Sequence, residues 1–128
     1  MIYVADPDAC IAVWGHTVGR GQCVDFVRHV AQCPPTKDWR RGALVRGQGD
    51  TLMPGTVIAT FHPDTERYEN DTSGRSHAAV FLSEKDGGLK VMDQWVGHPV
   101  AVRLIRYQGG DQPHVDDGDA YYVLETHA

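Results

Sequence analysis

Five short runs rich in β-branched and aromatic residues follow one another from Thr56 to Glu125, and this pattern constrains the fold more than any other feature of the chain. Each run has the length and composition of a β-strand, and residues typical of turns separate it from the next. The five predicted strands are TVIATF, SHAAVFL, LKVMDQW, VAVRLIRY and AYYVLE. The short turn EKDGG between the second and third predicts an antiparallel hairpin.

Two predicted helices precede these strands. Asp6 and Pro7 are typical of an N-cap and a first helical position, and Gly15 would end this first helix. A second helix is predicted to begin at Cys23, because apolar residues then recur at intervals of three and four until Pro34. Helices followed by a run of strands predict an α+β domain, with N-terminal helices packed on a five-stranded antiparallel sheet.

The segment between the second helix and the first strand has a different character. Thr36–Gly55 is rich in Gly, Arg and polar residues without a clear period, so it predicts a long ordered loop that can carry a short turn near Trp39. No internal repeat or low-complexity segment divides the chain. Its 128 residues suffice for one core, which makes residues 1–128 a single predicted domain.

Charge and cysteine content argue against several classes of function. The formal net charge is -5 with interspersed signs, which disfavours a nucleic-acid partner, and no stretch approaches the length of a membrane span. The first residues lack a basic region followed by an apolar one, so we expect no general secretory signal. Three cysteines allow at most one disulfide, with Cys10 and Cys33 as the spare pair, and their spacing does not match a metal site.

Cys23 stands in GRGQCVDFVRHV, directly at the predicted start of the second helix. Unpaired backbone N–H groups and the positive end of the helix dipole stabilise a thiolate there, which lowers the pKa of the thiol and favours nucleophilic attack. The alternative is a buried cysteine that acts as a small apolar residue. A cysteine nucleophile also needs a general base and a group that orients the base.

His77 at the head of the second predicted strand and Asp93 near the end of the third supply such a pair. If the hairpin loop has an odd number of residues, with Leu82 opposite Gly88, then His77 is opposite Asp93 and both side chains share a face. A loop with an even number of residues shifts the register by one and brings Gln94 or Met92 opposite His77 instead. Taken singly, His77 could be a strand histidine satisfied by backbone or water, and Asp93 a solvated carboxylate.

Two tryptophans and the six histidines other than His77 are given no catalytic role. Trp14 and Trp95 are interpreted as core or cleft-wall aromatics. Six histidines lie in predicted loops, on a helix or at the chain end, and no role is assigned to them: His16, His29, His62, His98, His114 and His127.

Together, the motifs GQCVDFVR, PGTVIATF, SHAAVFL and LKVMDQW resemble the NlpC-type and CHAP-type cysteine amidases of bacterial cell walls, a papain-like superfamily. The resemblance extends from about Trp14 to the last predicted strand. In that superfamily the nucleophilic cysteine opens a helix, the base histidine begins a strand and a polar third residue lies on the neighbouring strand. Cys23, His77 and Asp93 match these places in order, which implies a catalytic triad.

The likeness is greatest to small stand-alone amidase effectors of the type VI secretion system, which cut peptide stems in the walls of rival bacteria. It implies a peptidoglycan peptide as substrate, a cognate immunity protein as partner, and no metal or organic cofactor. It also implies secretion without a signal peptide and action in the periplasm of target bacteria.

Papain-like proteases place an oxyanion glutamine several residues before the cysteine, whereas Gln22 is directly adjacent to it here. The oxyanion hole is therefore assigned first to the Cys23 backbone N–H and then to Gln22. Gln94 and Trp95 complete the candidate set for oxyanion or substrate binding.

Other functions are compatible with the same residues. A phage lysin or housekeeping wall hydrolase domain would keep the triad chemistry. A papain-like acyltransferase or deamidase would use the triad for transfer to an amine or for glutamine deamidation. A non-catalytic binding module would leave Cys23 as a core residue, with slow and nonselective alkylation.

Overall fold

The computed structural model describes residues 1–69, 76–85, 87–109 and 114–126. Parts of the loops predicted after the first and fourth strands lie outside these residues, as do Asp86 of the hairpin turn, the side chain of His114, and His127. The described residues form two helices, α1 (Pro7–Val13) and α2 (Cys23–Ala31). Their six strands are β1 (Arg40–Leu44), β2 (Val57–Thr60), β3 (Ala78–Lys85), β4 (Gly88–Trp95), β5 (His98–Arg106) and β6 (Tyr121–Glu125).

Both helices begin where the sequence predicts. The Asp6 carboxylate caps α1 by accepting the backbone N–H of Asp8 at 3.3 Å, and Pro7 occupies the first turn. Gln22 is the extended N-cap residue of α2. Neither helix in the described part of the chain is long and apolar enough to cross a membrane. The buried face of α2 consists of Phe26, Val27, Val30 and Ala31.

The sheet has one strand more than predicted. Its strand order is β1-β6-β2-β3-β4-β5, and neighbouring strands are antiparallel. The prediction of a loop throughout Thr36–Gly55 was wrong for β1, which pairs Arg40 with Glu125 and Arg41 with Leu124. An edge strand is held by backbone hydrogen bonds on one side, so its sequence need not alternate between apolar and polar residues. A short 3₁₀ turn over Thr36–Asp38 confirms the turn expected near Trp39.

The sheet buries apolar side chains on both of its faces. The face toward α2 contributes residues such as Val80, Met92 and Leu124. The opposite face contributes Ile58, Phe81, Val91 and Tyr121, which pack with Val45 from the segment after β1. Helices on the sheet are predicted from the sequence, whereas this second core is not.

The β3–β4 hairpin is tighter than the predicted five-residue loop. Lys85 pairs with Gly88, so two residues connect the strands, and Leu82 is not opposite Gly88. The register then shifts by one residue between Ser83 and Phe81, which places a β-bulge at Leu82.

This bulge determines whether His77 and Asp93 lie on the same face of the sheet. Beyond it, Phe81 pairs with Val91 and Val80 with Met92. If that register continues, the residue opposite Asp93 lies two positions from His77 along the strand. Residues two apart on a strand point to the same face, so His77 and Asp93 share a face of the sheet. Without the bulge, the register of the turn would place the two side chains on opposite faces, since a shift of one residue exchanges the faces. Directly opposite pairing was therefore wrong, whereas the shared face is present.

Candidate active site

Cys23 is the first residue of α2, and a tight loop delivers the chain to it. Gly19 and Gly21 have positive φ angles of 57° and 89°, a conformation that glycine adopts without strain. A Cβ atom on Gly19 would also lie 3.0 Å from Asp25, whose carboxylate accepts the backbone N–H of Arg20 at 2.9 Å. The glycines thus let the loop fold against the first turn of α2.

Gln94 anchors this loop to the sheet. Its side chain is fully buried, and its amide oxygen accepts the backbone N–H of Val18 at 2.9 Å. Its amide nitrogen donates to the carbonyl oxygens of Val18, at 2.9 Å, and Gln22, at 2.8 Å. The structure therefore places Gln94 beneath the residue that precedes Cys23, not in an open cleft. The side chain of Gln22 is exposed and makes no capping hydrogen bond.

His77 and Asp93 form a buried pair. His77 Nε2 lies 2.7 Å from Asp93 Oδ2, and the residues are only 4% and 2% exposed. Thr60 holds the backbone of His77, because its hydroxyl accepts the His77 N–H at 3.0 Å and its own N–H donates to the His77 carbonyl at 3.0 Å. Asp93, and not Gln94, is thus the hydrogen-bond partner of the imidazole.

The imidazole of His77 is close enough to the thiol of Cys23 that the two groups shift each other's pKa. Asp93 engages Nε2, which leaves Nδ1 as the ring nitrogen available to the sulfur. Burial alone would lower the pKa of His77, but Asp93 and Cys23 outweigh it and raise this pKa to about 9. Burial would likewise raise the pKa of Cys23, but the hydrogen bond and charge of His77 lower it on balance. Both shifts favour a thiolate–imidazolium pair at neutral pH.

Arg103 is a second cation on the same carboxylate. Its Nε donates to Asp93 Oδ2 at 2.8 Å, and its guanidinium carbon lies 4.8 Å from the centre of the Trp95 ring. Asp116 follows at 3.6 Å from Nη1. When Cys23 is a thiolate and His77 an imidazolium, the charges alternate from thiolate to imidazolium, carboxylate and guanidinium, so the buried Asp93 has a cation on two sides.

Tyr68 contacts the sulfur from another direction. Its hydroxyl oxygen lies 3.5 Å from Cys23 Sγ, and the residue is 9% exposed. The backbone N–H of Ala78 also favours the thiolate and helps to lower the pKa of Cys23. Sequence reasoning missed Tyr68 and Arg103. The only local signal for Tyr68 is an isolated aromatic residue within the polar run HPDTERYEND.

Trp95 lines the exposed side of the site. Its ring centre is 6.3 Å from that of His77 in an edge-on arrangement and 4.1 Å from that of His98. Trp95 is 37% exposed, which fits a cleft wall better than a core position, and Trp14 is 53% exposed. Within the described ranges, no three His, Cys, Asp or Glu residues converge closely enough to hold a metal ion.

The three thiols differ in their environment, and we expect iodoacetamide to distinguish them. Burial raises the pKa of Cys33 to about 12 and also raises that of Cys10, whereas the pKa of Cys23 is lowered. At pH 6.5, Cys23 should react at least about tenfold faster than an ordinary exposed cysteine, because more of it is thiolate. Peptide mass spectrometry after timed labelling measures this. Similar labelling of all three thiols would contradict the predicted thiolate at Cys23.

Comparison with known proteins supplies an independent observation. The sequence profile described as domesticated amidase effector 2 matches residues 2–124. The chain belongs to this family. It is 36% identical over 116 residues to the type VI secretion amidase effector 2 protein of Salmonella typhi, covering 81% of this chain and 84% of that protein. It is 32% identical over 126 residues to domesticated amidase effector 2 of Ixodes scapularis, covering 94% and 82%.

The α+β fold is also that of a solved member of this group. The structure of type 6 secretion amidase effector 2 superposes with a TM-score of 0.78 at 30% sequence identity. The match covers 97% of this chain and 95% of the other. Fold and sequence therefore lead to the same family of amidase effectors.

Proposed function

We propose that this protein is a cysteine amidase that hydrolyses amide bonds in peptidoglycan peptides, with the papain-like triad Cys23, His77 and Asp93. The observation that carries the proposal is the position of His77, whose Nε2 lies 2.7 Å from Asp93 Oδ2 and whose interaction with Cys23 raises the pKa of the imidazole and lowers that of the thiol. A nucleophile, a base and a group that orients the base are the three parts that this chemistry requires. The names of the relatives, which are amidase effectors, support the reaction class.

The reaction proceeds in two steps. The Cys23 thiolate attacks the amide carbonyl, the Sγ–C bond forms and the C=O π electrons move onto oxygen. The C–N bond then breaks, and His77 transfers its proton to the leaving nitrogen. In the second step the neutral His77 takes a proton from water, whose oxygen attacks the thioester and releases the peptide acid and the thiolate. Asp93 keeps the ring oriented throughout.

Other residues take supporting roles in this proposal. The backbone N–H of Cys23, at the start of α2, donates to the oxyanion, and the exposed Gln22 is a second candidate donor. Trp95 forms an apolar wall for the peptide beside His77. Gln94 acts on the site by fixing the loop before Cys23.

The relatives named as type VI secretion effectors also support a route and a partner. We propose that such a system delivers the protein to the periplasm of target bacteria, where peptidoglycan is accessible. A cognate immunity protein in the producing cell would cover the cleft over Cys23 and His77. An inhibitor that fills this cleft excludes the substrate peptide and buries the thiol.

Digestion of purified peptidoglycan tests the proposed reaction. Sacculi are incubated with the protein, the glycan strands are cut with a muramidase, and the fragments are analysed by mass spectrometry. Hydrolysis should release stem or cross-link fragments with a new amine and a new carboxyl end, and protein labelled at Cys23 with iodoacetamide should release none. Mass changes that indicate deamidation or amine transfer, without cleavage, would overturn hydrolysis in favour of those reactions.

A further inference from the structure

We propose that Tyr68 is a further catalytic residue, whose hydroxyl hydrogen-bonds the Cys23 thiolate at rest and the oxyanion of the tetrahedral intermediate during turnover. This inference rests on the proposed function. It starts from one contact, the 3.5 Å between the Tyr68 hydroxyl oxygen and Cys23 Sγ, at a residue that is 9% exposed.

A closed turn holds the chain just before Tyr68. His62 donates its N–H to the carbonyl of Arg67 at 2.9 Å, and Glu66 donates to the carbonyl of His62 at 2.9 Å. Glu66 has a left-handed φ of 59°. Arg41 of β1 fixes this turn, because its N–H reaches the Glu66 carbonyl at 3.3 Å and its guanidinium lies 3.0 Å from the Glu66 carboxylate.

The ring of Tyr68 is held by Trp39. The two ring centres are 4.8 Å apart, and Trp39 is completely buried, with its indole N–H donating to the carbonyl of Pro34 at 2.9 Å. An aromatic pair packed in this way restricts the direction of the phenol. The hydroxyl is therefore positioned before substrate binds, as an oxyanion donor must be.

The protonation states make Tyr68 the donor of this contact. Burial and the charge of Cys23 hold the pKa of Tyr68 well above its ordinary value, whereas His77 lowers the pKa of the thiol despite its burial. At neutral pH the phenol thus keeps its proton and donates to sulfur.

Attack on the carbonyl moves negative charge from this sulfur to an oxygen next to it. The Sγ–C bond forms while the C=O π pair moves to oxygen. A hydroxyl that donates to the thiolate therefore loses the sulfur as its acceptor and can donate to the adjacent oxyanion instead. Tyr68 transfers only its hydrogen bond and keeps its proton, and His77 supplies the proton for the leaving nitrogen. Interactions that strengthen as charge develops are those that accelerate the chemical step.

Tyr68→Phe tests this role, because it keeps the ring on Trp39 and removes the hydroxyl alone. On peptidoglycan, kcat should fall about 100-fold, the usual effect of losing one oxyanion donor. The loss should persist at pH values above the pKa of the Cys23 thiol. Alkylation by iodoacetamide creates no oxyanion, so in that pH range its rate should stay within about threefold of wild type.

Tyr3→Phe is the matched control, because it also removes one tyrosine hydroxyl. The Tyr3 hydroxyl hydrogen-bonds Thr126 Oγ1 at 2.9 Å and not Cys23, so the kcat of this variant should equal that of the wild type. The inference is overturned if Tyr68→Phe keeps wild-type kcat. It is also overturned if kcat recovers at high pH while alkylation slows in parallel at lower pH, because Tyr68 would then only stabilise the thiolate. Full activity in a Cys23→Ala variant would instead refute the proposed function, so the two failures are distinguishable.

Discussion

Cys23→Ala is expected to lower kcat/KM on peptidoglycan by about 10⁵-fold or more, the scale seen when a nucleophile is removed from a catalytic triad. The free energy of unfolding should change by only about 1 kcal/mol, since the side chain is half-buried at the first position of α2 and alanine is a good helix former. Fragment release from sacculi measures activity, and urea denaturation followed by circular dichroism measures stability.

Cys10→Ala is the control for this variant. It also removes a thiol from a helix, but Cys10 lies in α1 and is buried in the apolar core that contains the α2 side chains. Its kcat/KM should equal that of the wild type, whereas its stability should fall because a buried side chain becomes smaller. An active Cys23→Ala protein would exclude Cys23 as the nucleophile.

His77→Ala is expected to lower kcat/KM by a similar factor of about 10⁵, because in the proposed mechanism the base and the proton donor are the same group. The His77 side chain is almost completely buried beside Asp93, so its removal leaves a cavity next to a carboxylate. Added imidazole should bind there and restore part of the activity. Rescue of this kind requires the missing ring to act chemically, and a merely structural histidine would not show it.

Two further variants separate the role of His77 from general damage. His29→Ala removes an exposed histidine from the last turn of α2 and should leave kcat/KM unchanged. Asp93→Asn should lower kcat/KM less than His77→Ala does, since an orienting group can be partly replaced. If Asp93→Asn were as inactive as His77→Ala while folded, Asp93 would do more than orient the ring.

The local parts of the site could be predicted from the sequence. The start of α2 at Cys23 follows from apolar spacing and the glycine-rich approach, and the positions of His77 and Asp93 on neighbouring strands follow from two strong strand patterns. Their side chains meet as expected, although the turn length that led to the expectation was wrong. The turn has an even number of residues, and the β-bulge at Leu82 was not predicted. The two effects cancel, because the bulge shifts the register by one residue and so restores the shared face that an odd loop would have given.

The parts of the fold and the site that were not predicted from the sequence depend on contacts between segments that are distant along the chain. β1 has no apolar alternation, because its partner β6 stabilises it through the backbone. Arg103 reaches Asp93 only once the β4–β5 register is fixed, in which Asp93 pairs with Ala101. Tyr68 reaches Cys23 across 45 positions of sequence, by way of a turn fastened to β1. Local propensity carries no information about such long-range contacts.

Asp93 and Gln94 are consecutive residues of β4, and each of them positions a different part of the candidate site. Asp93 holds the ring of His77, and Gln94 on the other face of the strand holds the backbone before Cys23. A local opening of β4 would release both together, so the proposed nucleophile and base should loosen in a single cooperative event. The thermal tolerance of the site is thereby tied to the middle of the sheet, even though Cys23 itself lies at the end of a loop.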